Sequence, residues 1–277
     1  MKIYPTVSII VPTKNEEQNI GRCLKSIKRQ KYGGKIEIIV VDNFSEDKTV
    51  KLAKLFTKKV FLQGSERSTQ RNFGAQIAKG KYLLFIDADM ELKSNTVTEC
   101  ISFYLYPIPY TLYPILALKE HSQGTTFWGR ALALERNCYH DATWLLGARF
   151  FPKKDFLKIG GYDPKLIAAE DWDLTLRFAK AGYSTQISRI SLITHHESKD
   201  SLSKLLQKEL YYIRNIKNYQ KKHPKALTIQ SNLAYRLAVW IKSWRKLINH
   251  PMLTLAFLWY KLTVWILWNI EKFNENR

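Results

Sequence analysis

Two aspartates separated by one residue end the apolar stretch KYLLFIDADMEL, and Asp87 and Asp89 are well suited to holding a hard cation. Side chains two apart on an extended segment point the same way. Carboxylates converging on one point repel unless positive charge offsets them, and oxygen ligands suit Mn²⁺ or Mg²⁺ carrying substrate phosphates. The alternative is a strand ending in a solvated Asp-Ala-Asp turn. Upstream, GSERSTQRNFG places Arg67 and Arg71 one helical turn apart, so both guanidiniums can face one diphosphate. Downstream, GGYDPKLIAAEDWDL puts Glu170, Asp171 and Asp173 at a helix start, three acids in four residues. First-turn acids favour the helix dipole, but such crowding also suits a general base beside a metal-diphosphate. Asp42 ends a second apolar run and can accept from a base N–H or a ribose hydroxyl, with Thr13 and Glu16 assisting. Thr13, Asn15, Ser45 and Asp47 are all suitable helix caps, and capping is the preferred reading for Asn15 and Ser45.

The elements that must position these residues alternate in type. Short β-branched runs at Val7 to Val11 and Ile36 to Val41 each precede a polar turn and a helix-period segment, predicted over Glu16 to Gln30 and Asp47 to Lys58. A third strand is predicted at Val60 to Leu62, a helix at Ser68 to Ala78, and the strand delivering the aspartates at Tyr82 to Ile86. This is the pattern of an α/β fold with a mostly parallel, doubly wound sheet, whose ligands sit at the carboxyl ends of the strands. The proline- and tyrosine-rich region Tyr106 to Pro114 and a helix at Phe127 to Cys138 read as a lobe over the site. Arg130, Glu135, Arg136 and Arg149 are its candidate acceptor contacts.

Charge and composition bound the partners. Forty-four Lys and Arg against 24 Asp and Glu leave a net charge of +20, which favours polyanionic or membrane-surface partners. From Leu202 to Ile248 there are eleven basic residues and one acid, Glu209, so the excess is concentrated there. Cys23, Cys100 and Cys138 show neither metal nor disulfide spacing, which suits a reducing compartment. No secretory leader pattern precedes the first strand, so the catalytic part is expected in the cytosol.

Taken together, VPTKNEE, VVDNFSEDKT, RNFGAQIAKGKYLLFIDAD and GGYDPKLIAAEDWDL resemble family 2 glycosyltransferases of the GT-A fold, in the family's order and spacing from Val7 to about His196. The resemblance implies a GT-A catalytic domain over 1–200, with a nucleotide-binding half at 1–92 and an acceptor-binding half at 93–200. It implies that Asp87 and Asp89 hold the cation bridging the donor diphosphate. Pro12, Thr13, Glu16 and Asp42 would then contact the nucleoside, with Arg67 and Arg71 against the phosphates. Asp171 would be the base of an inverting transfer, and Arg149, Glu170 and Asp173 would serve the acceptor. Two positions compete for a further metal ligand. Glu91 resembles that of polyprenyl-phosphate mannose synthases, and His196 resembles the late histidine of other GT-A enzymes.

The remainder, 201–277, reads as a helical membrane-attachment region. A long basic helix, Leu202 to Lys222, is predicted to end at His223-Pro224. From Ala226 to Ile248 the residues Leu233, Leu237, Trp240, Ile241, Trp244 and Ile248 form one stripe, as in an interfacial basic amphipathic helix. Met252 to Ile270 carries a single charge, Lys261, which argues against a simple span and for monotopic attachment. The expected enzyme moves a sugar from a UDP- or GDP-sugar to a lipid-linked or glycolipid acceptor at the cytosolic face of the cell membrane. A polyprenyl-phosphate sugar synthase is the close variant. A nucleic-acid-binding protein is disfavoured, since nucleic acid would not require the long apolar segment. A sugar nucleotidyltransferase lacks a glycine-rich phosphate loop near the first strand.

Overall fold

The computed structural model describes residues 4–105, 114–139, 142, 146–197 and 199–275. It divides into two compact units, one of Met1–Glu120, Leu146–Pro164 and Glu170–Thr194, the other of His121–Leu145, Lys165–Ala169 and His195–Arg277. Eight strands form the sheet: β1 (Val7–Thr13), β2 (Ile36–Asp42), β3 (Val60–Leu62), β4 (Tyr82–Phe85), β5 (Met90–Leu92), β6 (Ile115–Gln123), β7 (Ala148–Pro152) and β8 (Thr185–His196). Their order is β3-β2-β1-β4-β7-β6-β8-β5. The pairs β1–β2, β2–β3 and β1–β4 are parallel, as the βαβ pattern requires. The pairs β4–β7 and β6–β7 are antiparallel, so the sheet is mixed beyond β4.

The first unit also holds α1 (Ile20–Lys28), α2 (Thr49–Lys54), α3 (Arg67–Ile77), α4 (Thr96–Leu105), α6 (Lys153–Lys158) and α7 (Glu170–Lys180). Strands β1 and β2 are apolar runs, broken by the buried hydrogen-bonded pair Ser8 and Glu37, because both sheet faces are covered. Alternate residues feed two cores: Ile9, Val11, Val40 and Leu84 enter one, and Ile10, Val41, Leu83 and Phe85 the other. Each such fully buried side chain contributes about 1.5–3 kcal/mol. The second core closes around Phe85, Phe151, Phe156, Tyr162 and Phe178, which fixes the Tyr162 turn under the sheet's carboxyl edge.

The second unit contains α5 (Phe127–Cys138), α8 (Leu202–Asn215), α9 (Lys217–Lys222), α10 (Pro224–Gln230), α11 (Leu233–Lys242), α12 (Trp244–Ile248) and α13 (Pro251–Glu275). Two expected long helices are broken. Leu202 to Lys222 divides at Ile216, and Ala226 to Ile248 becomes three short helices. Asn232 causes one break by capping α11, its Oδ1 receiving the N–H groups of Ala234 and Tyr235. Of the expected stripe, Trp240 is buried against Phe257, while Leu233, Leu237, Ile241, Trp244 and Ile248 are exposed. The region Tyr106 to Tyr113 of the expected lobe lies outside the described residues.

Candidate active site

The candidate donor, metal and base residues Pro12, Thr13, Glu16, Asp42, Arg67, Arg71, Asp87, Asp89, Glu91, Arg149, Glu170, Asp171 and Asp173 belong to the first unit, where α3 ties several of them together. Three consecutive side chains of this helix do three jobs. Gln70 donates to the carbonyls of Thr13 at 2.9 Å and Val41 at 2.6 Å, tying α3 to the tips of β1 and β2. Arg71, 4% exposed, donates to Asp87 Oδ1 at 2.5 Å and Glu170 Oε1 at 3.0 Å, and lies over the Tyr162 ring. Asn72 donates to the Tyr162 carbonyl at 2.8 Å and accepts its N–H at 2.9 Å. Gly74 permits this approach, since a Cβ there would stand 2.6 Å from Ile10. The RNFG motif thus locks a helix to three strand or turn ends.

Asp87 and Asp89 follow the carboxyl end of β4, as expected. Asp87 faces two cations, Arg71 and, at 3.4 Å, Arg149, whose positive charges hold its carboxyl far below the usual carboxylate range against the opposing effect of burial. Positive charge therefore offsets this carboxylate from the protein itself. Arg149 is held in turn by Glu120, which accepts from its Nε at 2.7 Å. The pairing of β6 with β7 brings these two residues together, and Glu120 escaped the sequence reading.

Asp87 and Asp89 are the oxygen donors that the turn after β4 offers a cation. Cys23, buried on α1 with its thiol 3.7 Å from the Asp87 carbonyl, is pushed up by burial and then by Asp89, Asp87, Glu16 and Glu91. The negative charge of these four carboxylates opposes ionisation of the thiol. Among the described residues no group of three or more His, Cys, Asp or Glu side chains could hold a metal ion, so phosphate oxygens and water would complete a shell around the two aspartates. Glu91, on β5, is 4.0 Å from Arg22. His196 ends β8 in the second unit.

Asp42 is fully buried, and its carboxylate organises the strand tips: Thr13 Oγ1 donates at 2.7 Å, and Ser45 donates from Oγ at 2.6 Å and from N–H at 2.7 Å. Pro12 and Thr13 are buried on β1, and Glu16 accepts from Asn19 at 2.8 Å. Asn15 and Ser45 do not cap helices, correcting the sequence reading; they stitch the β1 and β2 loops to each other. The Asn15 N–H donates to Ser45 Oγ at 2.7 Å, and the Glu46 N–H to Asn15 Oδ1 at 3.0 Å. Asn15 and Phe44 take positive φ values of 54° and 51°, held there by this stitching.

Helix α7 carries the acids. Glu170 is buried and pairs with Arg71, with Arg67 3.6 Å away and partly exposed. Asp173 accepts from Arg177 at 2.8 Å, and Arg177 donates onward to the carbonyls of Ile159 and Gly161, which joins α7 to the preceding turn. Asp171 Oδ1 accepts the Trp172 N–H at 2.8 Å. Burial, then repulsion from Glu170, raises its carboxyl above the ordinary value, against Arg149 and Arg71. Gly147 lies against it so closely that a Cβ would stand 2.5 Å from Asp171 Oδ2. Thr175 reinforces the seat, receiving the Ala148 N–H at 3.0 Å and donating to the Asp171 carbonyl at 2.8 Å. Neither Gly147 nor Thr175 carries a motif that marks it in the sequence.

Arg130, Glu135 and Arg136 lie on α5 in the second unit. Arg136 contacts His195 at 2.8 Å and Glu197 at 3.3 Å, and Glu135 pairs with Lys261.

Comparison with known proteins agrees with this architecture. Residues 8–144 match the profile of glycosyl transferase family 2. A PGL/p-HBAD biosynthesis glycosyltransferase of Mycobacterium tuberculosis is 27% identical over 265 residues, covering 90% of this chain and 94% of that relative. The mannosyltransferase PcManGT from Pyrobaculum calidifontis, solved in complex with GDP-Man and Mn²⁺, superposes with a TM-score of 0.61 at 15% identity, over 99% of this chain and 90% of that one. TarS 1-349 of S. aureus, solved in complex with UDP-GlcNAc, gives a TM-score of 0.53 at 16% identity, over 88% and 73%. In a longer TarS chain the match spans 39%. The strand order, the D-x-D strand end and these matches lead to one assignment: residues 8–144 form a glycosyl transferase family 2 domain, and the chain is a glycosyltransferase with the GT-A fold.

Proposed function

We propose that this chain transfers a sugar from a UDP- or GDP-sugar, with inversion, to a hydroxyl of a lipid-linked or glycolipid acceptor at the cytosolic face of a membrane. The observation carrying this reading is the ion-paired series Asp87, Arg71, Glu170, which connects the D-x-D strand to the helix that presents Asp171. Asp87 and Asp89 would hold Mn²⁺ or Mg²⁺ with the donor diphosphate, and the cation would neutralise charge on the leaving group. Arg71 and Arg149 face the same carboxylate and are placed to share that work. Arg67, 3.6 Å from Glu170 and more exposed than Arg71, is a second arginine for the phosphates.

Asp171 acts as the general base. It takes the proton from the acceptor hydroxyl as the new glycosidic bond forms to the anomeric carbon. The bond from that carbon to the diphosphate breaks, and the nucleoside diphosphate departs with the electron pair. Its raised proton affinity suits this task, because a base held low would be a poor acceptor. A lipid phosphate is already ionised and needs no base, so the same observation favours a hydroxyl acceptor over a polyprenyl phosphate. Pro12, Thr13, Glu16 and Asp42 are proposed to form the nucleoside floor, with Asp42 acting chiefly through the loops it orders. Glu91 and His196 remain the two candidates for a further ligand.

Transfer and donor binding measured on Asp171→Ala test the reading. Transfer should be lost while nucleotide-sugar binding is retained. Transfer persisting near the wild-type rate would remove Asp171 as the base.

A further inference from the structure

The longest helix, α13, has 25 residues, and at ~1.5 Å per residue it reaches about 37 Å, enough to cross a bilayer. Length therefore does not decide how it is used; its two sides do. One side is tied to the rest of its unit by polar contacts spread along the helix. Tyr260 donates to Glu209 on α8 at 3.2 Å, Lys261 pairs at 3.3 Å with Glu135 on α5, and Glu271 accepts from Arg214 on α8 at 2.7 Å. Glu135 is 3% exposed, and Phe257 and Tyr260 are fully packed between these helices. For α13 to cross, it would have to abandon these partners or carry their charges into hydrocarbon.

The other side is bare. Met252, Leu255, Trp259, Leu262, Ile266 and Ile270 are exposed at spacings of three and four, a single apolar face. Helices α11 and α12 continue the pattern with Leu233, Leu237, Ile241, Trp244 and Ile248, all exposed. Lys242, Arg245 and Lys246 are exposed on the same two short helices. An apolar surface of this extent marks an interaction site rather than a solvated one. Its basic setting selects the occupant, because a second copy would bring another net +20 charge to the contact, whereas anionic headgroups complement it.

We infer that α11, α12 and α13 form a monotopic docking plate for the headgroup region of an anionic bilayer, with α13 lying along the membrane rather than through it. The Lys261–Glu135 pair fastens the helix to the protein side, and the tryptophans and basic residues occupy the interface. The inference rests on the proposed membrane-borne acceptor, and its test is read without a transfer assay.

The full chain is mixed with vesicles of phosphatidylcholine alone or with added phosphatidylglycerol, and binding is read by flotation. Binding should require the anionic lipid. The triple change Lys242→Gln, Arg245→Gln, Lys246→Gln should weaken it by about two orders of magnitude, at roughly fivefold per charge. The pair Leu262→Gln, Ile266→Gln should weaken it also, with circular dichroism confirming folding of both variants. A protease-cleavable tag added at the carboxyl terminus should stay open to protease outside the vesicles. Protection of the tag would overturn the inference in favour of a span, and equal binding to neutral vesicles would remove the basic residues' role. A dimer in solution that binds vesicles only after it is dissociated would assign the plate to a second copy. Nucleotide-sugar binding measured without vesicles reports separately on the transferase reading.

Discussion

At the scale of the residue, Asp171 holds the clearest conflict between stability and function. Its folded proton affinity lies above that of the unfolded chain, because burial and Glu170 disfavour the charge. Such a group favours folding below the ordinary carboxylate range, near pH 4, and that contribution is lost as pH rises through the folded value. Asp171→Asn should therefore melt no lower than wild type at pH 7, and its advantage should shrink as the pH falls; a large loss of stability at neutral pH would contradict this. The same variant should lose about 10²–10⁴-fold in transfer rate. For the wild type, kcat/KM should decline on the acid side at a pH above that of an exposed aspartate. Gly147 acts through this carboxylate. Gly147→Ala should push Asp171 aside and lower kcat by up to about 10²-fold, while calorimetry finds donor affinity unchanged.

At the scale of the element, α3 and α13 make distinct predictions. Asn72 satisfies both backbone groups of Tyr162, so Asn72→Ala should cost about 1–3 kcal/mol in denaturant unfolding. Lys261→Met leaves buried Glu135 without its cation, at about 3 kcal/mol, a lower-end value because Lys261 is 27% exposed. Adding Glu135→Leu should restore most of that loss, and a double variant no more stable than the single would show that the loss does not come from an unpaired Glu135. What could be read from the sequence divides along the same line. The D-x-D strand end, the helix through Arg71 and the helix beginning at Glu170 were legible because local period and neighbouring apolar runs define them. The Glu120–Arg149 and Lys261–Glu135 pairs were not, since strand pairing and helix packing bring together residues far apart in the chain. The breaks at Ile216 and Ser243 carry neither glycine nor proline, so the basic segments read as longer helices than they are.

At the scale of the whole molecule, one unit gathers the sheet ends, the paired arginines and Asp171, and the other presents a basic, apolar helical surface. A chain so organised should hold its donor by a small number of charged groups and meet its acceptor at a membrane. The central claim is that Asp87 and Asp89 hold a cation together with the donor diphosphate. Calorimetric titration of UDP- and GDP-sugars with Mn²⁺, Mg²⁺ or EDTA, on the wild type and on Asp89→Ala, tests it most directly. The account predicts that one donor binds only with metal and that the variant loses this binding. Binding that is equally tight in EDTA, or unchanged in Asp89→Ala, would contradict it.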